Sequence, residues 1–498
     1  MVDIRPDWQL LIDGGKKDSD GDGQRAVVNP ATGEEVATVQ EGTAADVDHA
    51  VEAARNAFEE WSDTSSEERA RRLYAIADRI DDHFDELAEI ATLENGKPKN
   101  QSGNDVFTAV ETFRYYAGAT DKFYGDVVEN SKDELKLKVF EPYGVVGVVI
   151  PWNWPPMHTA DFISVALATG NTVVLKPAPQ TPMSSIRMVE LMLDVLPDGA
   201  VNVVPGGVEP GVALTNHEDV DMVAFTGHDV TGEAVMKSAA ENINPVMLEL
   251  GGKNAAIVFD DADLEKAVSG AILNAFYNSG QSCASIERLL LHEDIFDDFL
   301  AAFLPAIEEL NVGEGMDPNS QVGPIIDEAQ YDKIQSAIDG AVDGGAEIAA
   351  KAESPTDEHL AGGHWVPPTV LTNVDPSMPI MNEEVFGPVL SVTSFRNDDD
   401  AVEIANDVEY GLTGGIWTSN LERAHRVAAR LETGMVGVNR PSFVSLGLPF
   451  GGYKRSGIGR KRDLTETMRE YVRVKSIQID HTDARYSLDL DLAEQRTY

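Results

Sequence analysis

Two stretches near the amino terminus carry apolar residues at the three- and four-residue spacing of an amphipathic helix. In residues 44–61 these positions are Val47, Val51, Ala54, Phe58 and Trp61. Thr43 and Asp46 have the residue types and spacing of a capping box, which fixes where a helix begins. Residues 66–94 carry a similar apolar stripe. The pattern therefore predicts one helix over each stretch.

From Val145 onward, β-branched runs recur at intervals of about 25 residues, with helical stretches such as 184–195 between them. The runs are VVGVVI at 145–150, TVVL at 172–175, VNVV at 201–204, MVAF at 222–225 and VMLEL at 246–250. Continuous apolar strands joined by helical crossovers indicate a parallel sheet that is covered on both faces. Such a sheet binds ligands beyond the carboxyl ends of its strands.

A second α/β pattern extends from about residue 253 to residue 452. It predicts helices near 293–310 and 327–343 and strands near 388–395 and 434–438, separated by turns rich in glycine and proline. The chain is therefore an α/β protein with two successive α/β regions.

Two segments with polar alternation lie outside these regions. Residues 135–140 (LKLKVF) alternate with a period of two, which predicts a solvent-facing hairpin arm. The tail, 474–498, contains VKSIQI and then SLDLDL, which alternate in the same way. The two exposed strands could pair with each other or with a neighbouring subunit.

Composition and charge exclude some classes of function. The 498 residues suggest about three domains, and 42% hydrophobic with 25% charged residues are typical of a folded globular protein. The 85 acidic and 39 basic residues give a formal net charge of −46. With no basic surplus, the chain is not expected to bind a nucleic-acid backbone or an anionic membrane surface.

The acidic residues are spread from Asp3 to Glu494 rather than collected in a tail. We interpret this as adaptation to a salt-rich cytoplasm, because at molar salt the Debye length falls to about 3 Å and self-repulsion is screened. The start of the chain, MVDIRPDWQL, has no basic region followed by an apolar stretch. No apolar run reaches about 18 residues, so the cytoplasm is the expected compartment.

Common cofactor and metal motifs are absent from the sequence. No GxGxxG occurs, and the glycines of residues 205–211 have the wrong spacing. GGK at 251–253 lacks the other residues of a phosphate-binding loop, no HExxH exists, and ten scattered histidines suggest no metal site. The single cysteine, Cys283, excludes an intrachain disulfide and a cysteine-cluster metal site. Motif spacing alone predicts only an α/β enzyme.

Four local strings give a more specific indication. They are Pro151-Trp-Asn-Trp-Pro155, Leu248-Glu-Leu-Gly-Gly-Lys253, Gly280-Gln-Ser-Cys283 and Glu383-Glu-Val-Phe-Gly-Pro388. In this order and at these separations they resemble the aldehyde dehydrogenase superfamily. Lys176-Pro177, Phe225-Thr-Gly227 and Pro449-Phe-Gly-Gly452 extend the resemblance, which covers about residues 25–480.

The resemblance implies a Rossmann-type cofactor domain, a second α/β catalytic domain and a β oligomerisation arm. We expect residues 1–128 and 144–252 in the cofactor domain and 253–452 in the catalytic domain. Residues 129–143 and 453–498 would form the arm and the carboxyl-terminal segment. The implied assembly is a homodimer or a homotetramer, and the implied partner is a small-molecule aldehyde.

The resemblance also implies the reaction, an NAD(P)-dependent oxidation of an aldehyde to a carboxylic acid. Cys283 would be the nucleophile that forms a thiohemiacetal and then a thioester. Asn153 would donate to the oxyanion, and Glu249 would be the general base for hydrolysis. Taken alone, these residues have other interpretations: a small buried hydrophobe, a turn-former between prolines and a paired structural carboxylate.

The implied cofactor is NAD or NADP. Lys176 resembles the lysine that holds the adenosine ribose, Glu384 the acid at the nicotinamide ribose, and Phe386 its neighbour at the ring. The remaining residues assigned to this site by the resemblance are Ile150, Trp152, Gly211, Thr226, Gly227, Gly232 and Leu250. His228 stands where the family usually has serine. Pro179 stands where NAD-preferring members often carry the glutamate that repels a 2′-phosphate, so NADP stays open as a cofactor.

Other residues that differ from the usual family pattern lie near the expected aldehyde-binding site. Phe162 occupies a position that is often lysine in the family. His158 and Asp161 either border the aldehyde channel or are polar residues on a helix surface. The basic run Lys454–Arg462 has the composition of a solvated connecting loop.

Two alternative functions differ in their use of the three catalytic positions. A coenzyme A-acylating semialdehyde dehydrogenase would pass the acyl group to a thiol, but such relatives usually lack the acid at the position of Glu249. A catalytically silent structural relative would have no need of Cys283, Glu249 and Asn153 together.

The net charge of −46 makes a prediction about salt. Because added cations screen the repulsion between surface carboxylates, we expect both thermal stability and activity to rise from low salt to molar potassium chloride. Thermal melts followed by circular dichroism over this range test the expectation. Melting temperatures that stay constant or fall would reject the salt-adapted interpretation.

Overall fold

The structure is a computed structural model that describes residues 4–442 and 445–482. Its helices are α1 (Ala44–Asp63), α2 (Ser66–Asp82), α3 (Phe84–Asn95), α4 (Lys99–Ala117), α5 (Pro155–Ala168), α6 (Met183–Glu190), α7 (Val208–Asn216), α8 (Asp229–Glu241), α9 (Leu264–Phe276), α10 (Phe296–Glu308), α11 (Glu328–Asp343), α12 (Pro379–Asn382), α13 (Asp398–Asn406), α14 (Leu421–Ala428) and α15 (Thr465–Glu470). Within the described ranges, no helix combines the length and the apolar character needed to cross a membrane.

Among the described residues, the strands form two large sheets and three small ones. They are β1 (Asp7–Trp8), β2 (Leu10–Ile12), β3 (Gly15–Lys17), β4 (Gln24–Val28), β5 (Glu35–Gln40), β6 (Asp126–Asn130), β7 (Glu134–Pro142), β8 (Val145–Val149), β9 (Thr172–Lys176), β10 (Val201–Val203), β11 (Met222–Thr226), β12 (Val246–Glu249), β13 (Asn254–Val258), β14 (Ile286–His292), β15 (Glu347–Lys351), β16 (Thr369–Thr372), β17 (Val389–Phe395), β18 (Tyr410–Gly411), β19 (Thr413–Trp417), β20 (Met435–Val438), β21 (Tyr453–Lys454), β22 (Gly457–Ile458) and β23 (Val472–Asp480).

The first large sheet has the order β22-β12-β11-β8-β9-β10-β2-β3. Its five central strands are parallel and correspond within one residue to the five predicted apolar runs. They are continuous hydrophobic runs because helices cover both faces and nearly every position is buried. The outer strands β22, β2 and β3 run antiparallel.

The second large sheet has the order β15-β16-β17-β14-β13-β19-β20. Only β15 is antiparallel to its neighbour. The predicted strands near 388–395 and 434–438 are β17 and β20, and the predicted helix near 327–343 is α11. This sheet confirms the second α/β pattern.

The third sheet, β23-β7-β6, confirms the predicted hairpin arm. Strands β7 and β23 pair antiparallel from Pro142 opposite Val472 to Glu134 opposite Asp480. The two alternating segments therefore pair with each other within one chain. The SLDLDL string of the tail lies outside the described residues.

Three predicted helices differ in extent from the observed ones. The stretch 66–94 is two helices, because the ring nitrogen of His83 bonds to the carbonyl of Arg79 and its backbone bends out of helical geometry. Within the stretch 184–195, only the part in α6 is a regular α-helix. After it, most backbone N–H groups bond to the carbonyl three residues earlier, as in turns. The stretch 293–310 begins with a 3-10 turn, Glu293–Ile295, before α10.

The expectation that the run Lys454–Arg462 is a solvated loop holds for the exposed Lys454 and Arg455 and is wrong for the end of the run. Gly457–Ile458 form strand β22 on the first sheet, while Lys461 and Arg462 are only 1% and 8% exposed. The guanidinium of Arg462 bonds to both carboxylate oxygens of Asp161 on α5. Opposite charges paired across distant segments allow this basic sequence to be buried.

Candidate active site

The loops after the parallel strands of the first sheet meet one loop of the second α/β region. Asn153 follows β8, while Thr226 and Glu249 are the last residues of β11 and β12. The carboxyl ends of parallel strands lie at one edge of a sheet, and the loop that carries Cys283 faces this edge. The predicted strings thus come together although they are spread over residues 151–388.

Two cavities meet at Cys283. The larger has a volume of about 680 Å³ and is lined by aromatic and polar residues that include Trp154, His158, Tyr277 and Phe450. The smaller has a volume of about 140 Å³. Of the predicted site residues, it is lined by Trp152, Asn153, Thr226, Gly227, His228, Glu249, Leu250, Cys283, Glu384 and Phe386. Cys283 is therefore accessible from both sides.

Backbone geometry holds the Cys283 loop against the Glu384 loop. Gly280 has φ +68, and a Cβ there would lie 2.2 Å from the carbonyl oxygen of Gly387, so only glycine fits. The side chain of Asn254 donates to the carbonyl of Cys283 at 2.7 Å. Burial raises the pKa of the Cys283 thiol to about 12, and the charge of Lys461 opposes this rise. At rest the sulfur is a thiol.

The side chain of Asn153 is buried beside this loop. Its Nδ2 donates to the carbonyl of Gln281 at 3.1 Å, and its Oδ1 has no hydrogen-bond partner. The carbonyl of Asn153 accepts from Lys97, whose ammonium also donates to Asp105 at 2.8 Å. Lys97 thus fixes the backbone that presents the Asn153 amide. Sequence analysis missed Lys97, because a lysine after a helix end gives no local signal for burial.

Glu249 is an unpaired carboxyl group in the smaller cavity. It is 2% exposed, and neither carboxylate oxygen has a hydrogen-bond partner. The interpretation as a paired structural carboxylate is therefore wrong. Burial raises the pKa of Glu249 to about 8, while the charges of Lys461 and Arg460 lower it. A carboxyl group in this state can exchange a proton near neutral pH.

Glu384 and Phe386 lie on the opposite wall of the smaller cavity. Oε1 of Glu384 accepts from the backbone N–H of Gly252 at 2.7 Å, and burial followed by the charge of Glu287 raises the pKa of Glu384 to about 7. The ring of Phe386 lies edge-to-face against Trp152 at 5.4 Å. Glu287, which the sequence did not indicate, accepts the backbone N–H groups of Val385 and Phe386.

The turn after β11 opens helix α8. The ring of His228 caps this helix, accepting from the N–H of Val230 at 3.3 Å, so histidine replaces the usual serine as a cap. Thr226 Oγ1 is buried without a partner and faces the smaller cavity. A Cβ at Gly232 would lie 2.5 Å from the end of the Leu250 side chain, which would have to shift. The N–H groups at the start of α8 other than that of Val230, together with the unpaired Thr226 Oγ1, suit a phosphate group.

The remaining predicted cofactor residues do not line the smaller cavity. They are Ile150, Lys176, Pro179, Gly211 and Gly232. Lys176 ends β9, its carbonyl accepts from Ile150 N at 3.1 Å, and Gly211 lies next to its stem. Burial, together with the charge of Arg25, lowers the pKa of Lys176 to about 8. Arg25, which pairs with Glu41 at 2.7 Å, was not predicted.

One group of potential metal ligands exists among the described residues, against the sequence expectation that the histidines join no cluster. Ligand atoms of Asp20, Asp46 and His49 lie within 4.8 Å of one another. The Asp46 carboxylate already accepts from Ser19, Asp20 and Thr43 in capping α1. The group is remote in sequence from the cavities at Cys283, and its hydrogen bonds account for it.

Comparison with known proteins now assigns the family. The model of the "Aldehyde dehydrogenase family" matches residues 17–477. The chain belongs to the aldehyde dehydrogenase family. Among curated relatives, the putative aldehyde dehydrogenase DhaS of Bacillus subtilis is 41% identical over 480 residues, covering 95% of this chain and 96% of that protein. Aldehyde dehydrogenase citD of Monascus ruber is 40% identical over 453 residues, covering 91% and 90%.

Solved structures agree with this assignment. Betaine aldehyde dehydrogenase from Staphylococcus aureus in complex with NAD+ has a TM-score of 0.94 at 38% identity, with 97% of each chain covered. PnpE in complex with nicotinamide adenine dinucleotide has a TM-score of 0.93 at 42% identity, covering 96% of this chain and 98% of that one. The protein is an aldehyde dehydrogenase that oxidises aldehydes with NAD or NADP as electron acceptor.

Position 179 carries no carboxylate, and Lys176 is influenced by the charges of both Arg25 and Glu41. The missing carboxylate leads to a prediction about the use of NAD and NADP. We expect measurable turnover with NADP beside NAD. Pro179→Glu would place a carboxylate near the 2′-phosphate and weaken the NADP reaction by about 1–3 kcal/mol. Steady-state kcat/KM for both cofactors measures this effect.

The matched control is Pro179→Gln, which changes the backbone in the same way without adding charge. It should leave the ratio of the two cofactors close to that of the wild type. A wild-type enzyme that prefers NAD by more than about a thousandfold would show that Pro179 does not decide the choice.

Proposed function

We propose that Cys283 is the nucleophile, Asn153 the oxyanion donor and Glu249 the general base of this aldehyde dehydrogenase. The observation that carries the proposal is the position of Cys283 between two cavities, with the unpaired carboxyl group of Glu249 in one of them. An aldehyde entering the larger cavity reaches the sulfur from one side. The smaller cavity leaves its opposite side to the cofactor and to water.

The first half-reaction begins when the Cys283 thiol gives its proton to water in the cavity and the sulfur bonds to the aldehyde carbon. Negative charge then develops on the former carbonyl oxygen. Bonds from Lys97 and Asn278 to the backbone carbonyl of Asn153 fix the main chain, and the bond from Asn153 Nδ2 to the Gln281 carbonyl orients the buried side-chain amide. The second N–H of that amide can donate to the former carbonyl oxygen. NAD or NADP, when bound, supplies the hydride acceptor that turns the adduct into a thioester.

Residues of the smaller cavity and of the adjoining strand ends would hold the cofactor. Glu384 and Phe386 lie nearest the nucleophile, the start of α8 can receive phosphate, and Lys176 lies farther along the sheet edge. Unpaired buried atoms such as Thr226 Oγ1 fit a polar ligand in this space.

In the second half-reaction, Glu249 would take a proton from water as the water oxygen bonds to the thioester carbon. The carbon–sulfur bond then breaks, releasing the carboxylic acid and restoring Cys283. This role favours hydrolysis over acyl transfer to coenzyme A, the alternative that the sequence left open. The three catalytic positions together also weigh against a silent structural relative.

We further propose that the enzyme is a homodimer or homotetramer that works in a salt-rich cytoplasm. The arm supports association, because the three-stranded sheet exposes Val127, Val128 and Val474 by 64%, 67% and 59%. The net charge of −46 supports the salt adaptation. The physiological aldehyde is best sought by assay in high potassium chloride across aliphatic, aromatic, amino- and semialdehydes.

The two half-reactions can be separated by substitution. Cys283→Ala removes the nucleophile, so reduced cofactor should not form even in the first turnover. Glu249→Gln keeps the shape but removes the base, so the thioester should form and persist. We expect a burst of reduced cofactor near one per site, followed by a steady rate about a hundredfold or more below wild type. Quench-flow and intact-protein mass measure both quantities.

Hydroxylamine gives a control, since it cleaves a thioester without a base and should partly restore turnover of Glu249→Gln. If that variant showed neither a burst nor an acylated Cys283, Glu249 would act in the first half-reaction instead, as the base that activates the thiol.

The raised pKa of Glu249 also predicts a pH dependence. A general base works only when ionised, so with a pKa of about 8 hydrolysis should slow as the pH falls below this value. The rate of thioester hydrolysis, measured after a single acylation, should rise about eightfold from pH 6.5 to 7.5. In Glu249→Gln the rise should disappear. A wild-type rate that is constant over this range would contradict the role.

A further inference from the structure

Lys461 is a buried lysine without a close hydrogen-bond partner among the described residues. It lines the larger cavity together with Cys283, yet it is only 1% exposed. Backbone bonds in both directions between Lys461 and Phe450 fix its position. The nearest polar atoms to its ammonium are His158 Nδ1 at 3.4 Å and Asp161 Oδ2 at 3.5 Å. Both distances are long for an ammonium group, which has three donors to satisfy.

The charges around Lys461 do not cancel. Asp161 already accepts three hydrogen bonds from Arg462, at 3.0 to 3.2 Å. His158 is neutral, because burial followed by the charge of Lys461 lowers its pKa to about 3. Despite burial, Arg462 and Lys461 hold the pKa of Asp161 well below its usual range. The cations Lys461 and Arg462 and the anion Asp161 together carry one net positive charge. Burying an unbalanced charge costs free energy unless another anion lies nearby.

Two groups of the proposed mechanism can supply that anion. Burial raises the pKa of both Cys283 and Glu249. Of the nearby charges that lower these two pKa values, Lys461 has the largest effect on each. The other ionisable groups that influence this cluster are Tyr116 on α4, Arg460 and Arg462 on the Lys461 segment, Tyr471 before β23 and Glu384 across the smaller cavity. Neither tyrosine is charged at neutral pH, because burial raises both pKa values.

We propose that Lys461, which lines the larger cavity together with Cys283, is the cation that stabilises the ionised form of Cys283. It is a positioning residue that acts through the thiolate, and the proposal rests on the role given above to Cys283. Position 162, where the family often has a lysine, is here Phe162, whose ring lies 5.5 Å from the Lys461 ammonium. A lysine from the segment after β22 thus brings a positive charge close to the Phe162 ring.

The alternative is that Lys461 serves only to hold Asp161. The contact distances speak against it, because Arg462 already binds both Asp161 oxygens more closely than Lys461 binds one. A purely structural lysine would also have no reason to line the cavity at the nucleophile.

Alkylation of the thiol tests the proposal without substrate or cofactor. Cys283 is the only cysteine in the chain, so intact-protein mass reports its reaction alone. We would compare neutral iodoacetamide with anionic iodoacetate in the wild type, in Lys461→Met and in Lys461→Arg. Lys122→Met, which breaks an exposed ion pair with Asp121, is the matched control for loss of one lysine charge.

We expect Lys461→Met to react with iodoacetamide about tenfold more slowly at pH 7.5, since one neighbouring cation changes a thiol pKa by about one unit or more. Its reaction with iodoacetate should slow by a larger factor than its reaction with iodoacetamide, because the anionic reagent also loses its attraction to the Lys461 ammonium. Lys461→Arg should retain most of the wild-type rates, and Lys122→Met all of them. No slowing of either reagent in Lys461→Met, or equal slowing in Lys461→Arg, which keeps the charge, would overturn the proposal.

A measurement on the wild type covers the case in which Lys461→Met does not fold. In molar salt, the ratio of iodoacetate to iodoacetamide rates at Cys283 should exceed that of N-acetylcysteinamide, a neutral free thiol. A ratio at or below that of the free thiol would overturn the proposal. These outcomes are independent of the thioester experiment, so failure of the mechanism and failure of this inference are distinguishable.

Discussion

Burial of ionisable groups controls the chemistry of this site. Cys283, Glu249 and Glu384 lie where water is largely excluded, and burial is the largest cause of the raised pKa of each. All three are therefore biased towards the neutral form at rest. A catalytic cycle that needs a thiolate and then a carboxylate must obtain the opposing charge from the protein, and only a few cations are close enough to provide it.

Buried ion pairs outside the two cavities hold the loops in place. Lys97 pairs with Asp105 and binds the carbonyl of Asn153. Lys253 pairs with Glu287, which binds the backbone of the loop that carries Phe386. In each case one member of a charged pair also bonds to the main chain of a site loop. Breaking either ion pair would leave a buried charge unpaired and would also release a loop that carries site residues.

The sequence predicted those features that have a local signal. The five parallel strands could be predicted because full burial requires continuous apolar runs, and the strings around Cys283 and Glu249 indicated the family and, through it, the nucleophile and base proposed above. The break at His83 depends on one ring-to-carbonyl bond within an uninterrupted apolar periodicity, which pattern analysis does not detect. Lys461 and Arg462 were misjudged for a similar reason. Their partner Asp161 lies some three hundred positions earlier, so the sequence around them looks only basic.

Two cavities meet at Cys283, and this arrangement affects how ligands enter and leave the enzyme. A small molecule can enter or leave on the Trp154 side while the space bordered by Glu384 is filled. The two ligands therefore need not displace one another, and the acid can depart by the route along which the aldehyde arrived. Reagents that resemble the aldehyde could thus reach Cys283 in the holoenzyme, and inhibitors could be designed for one entrance without competing at the other.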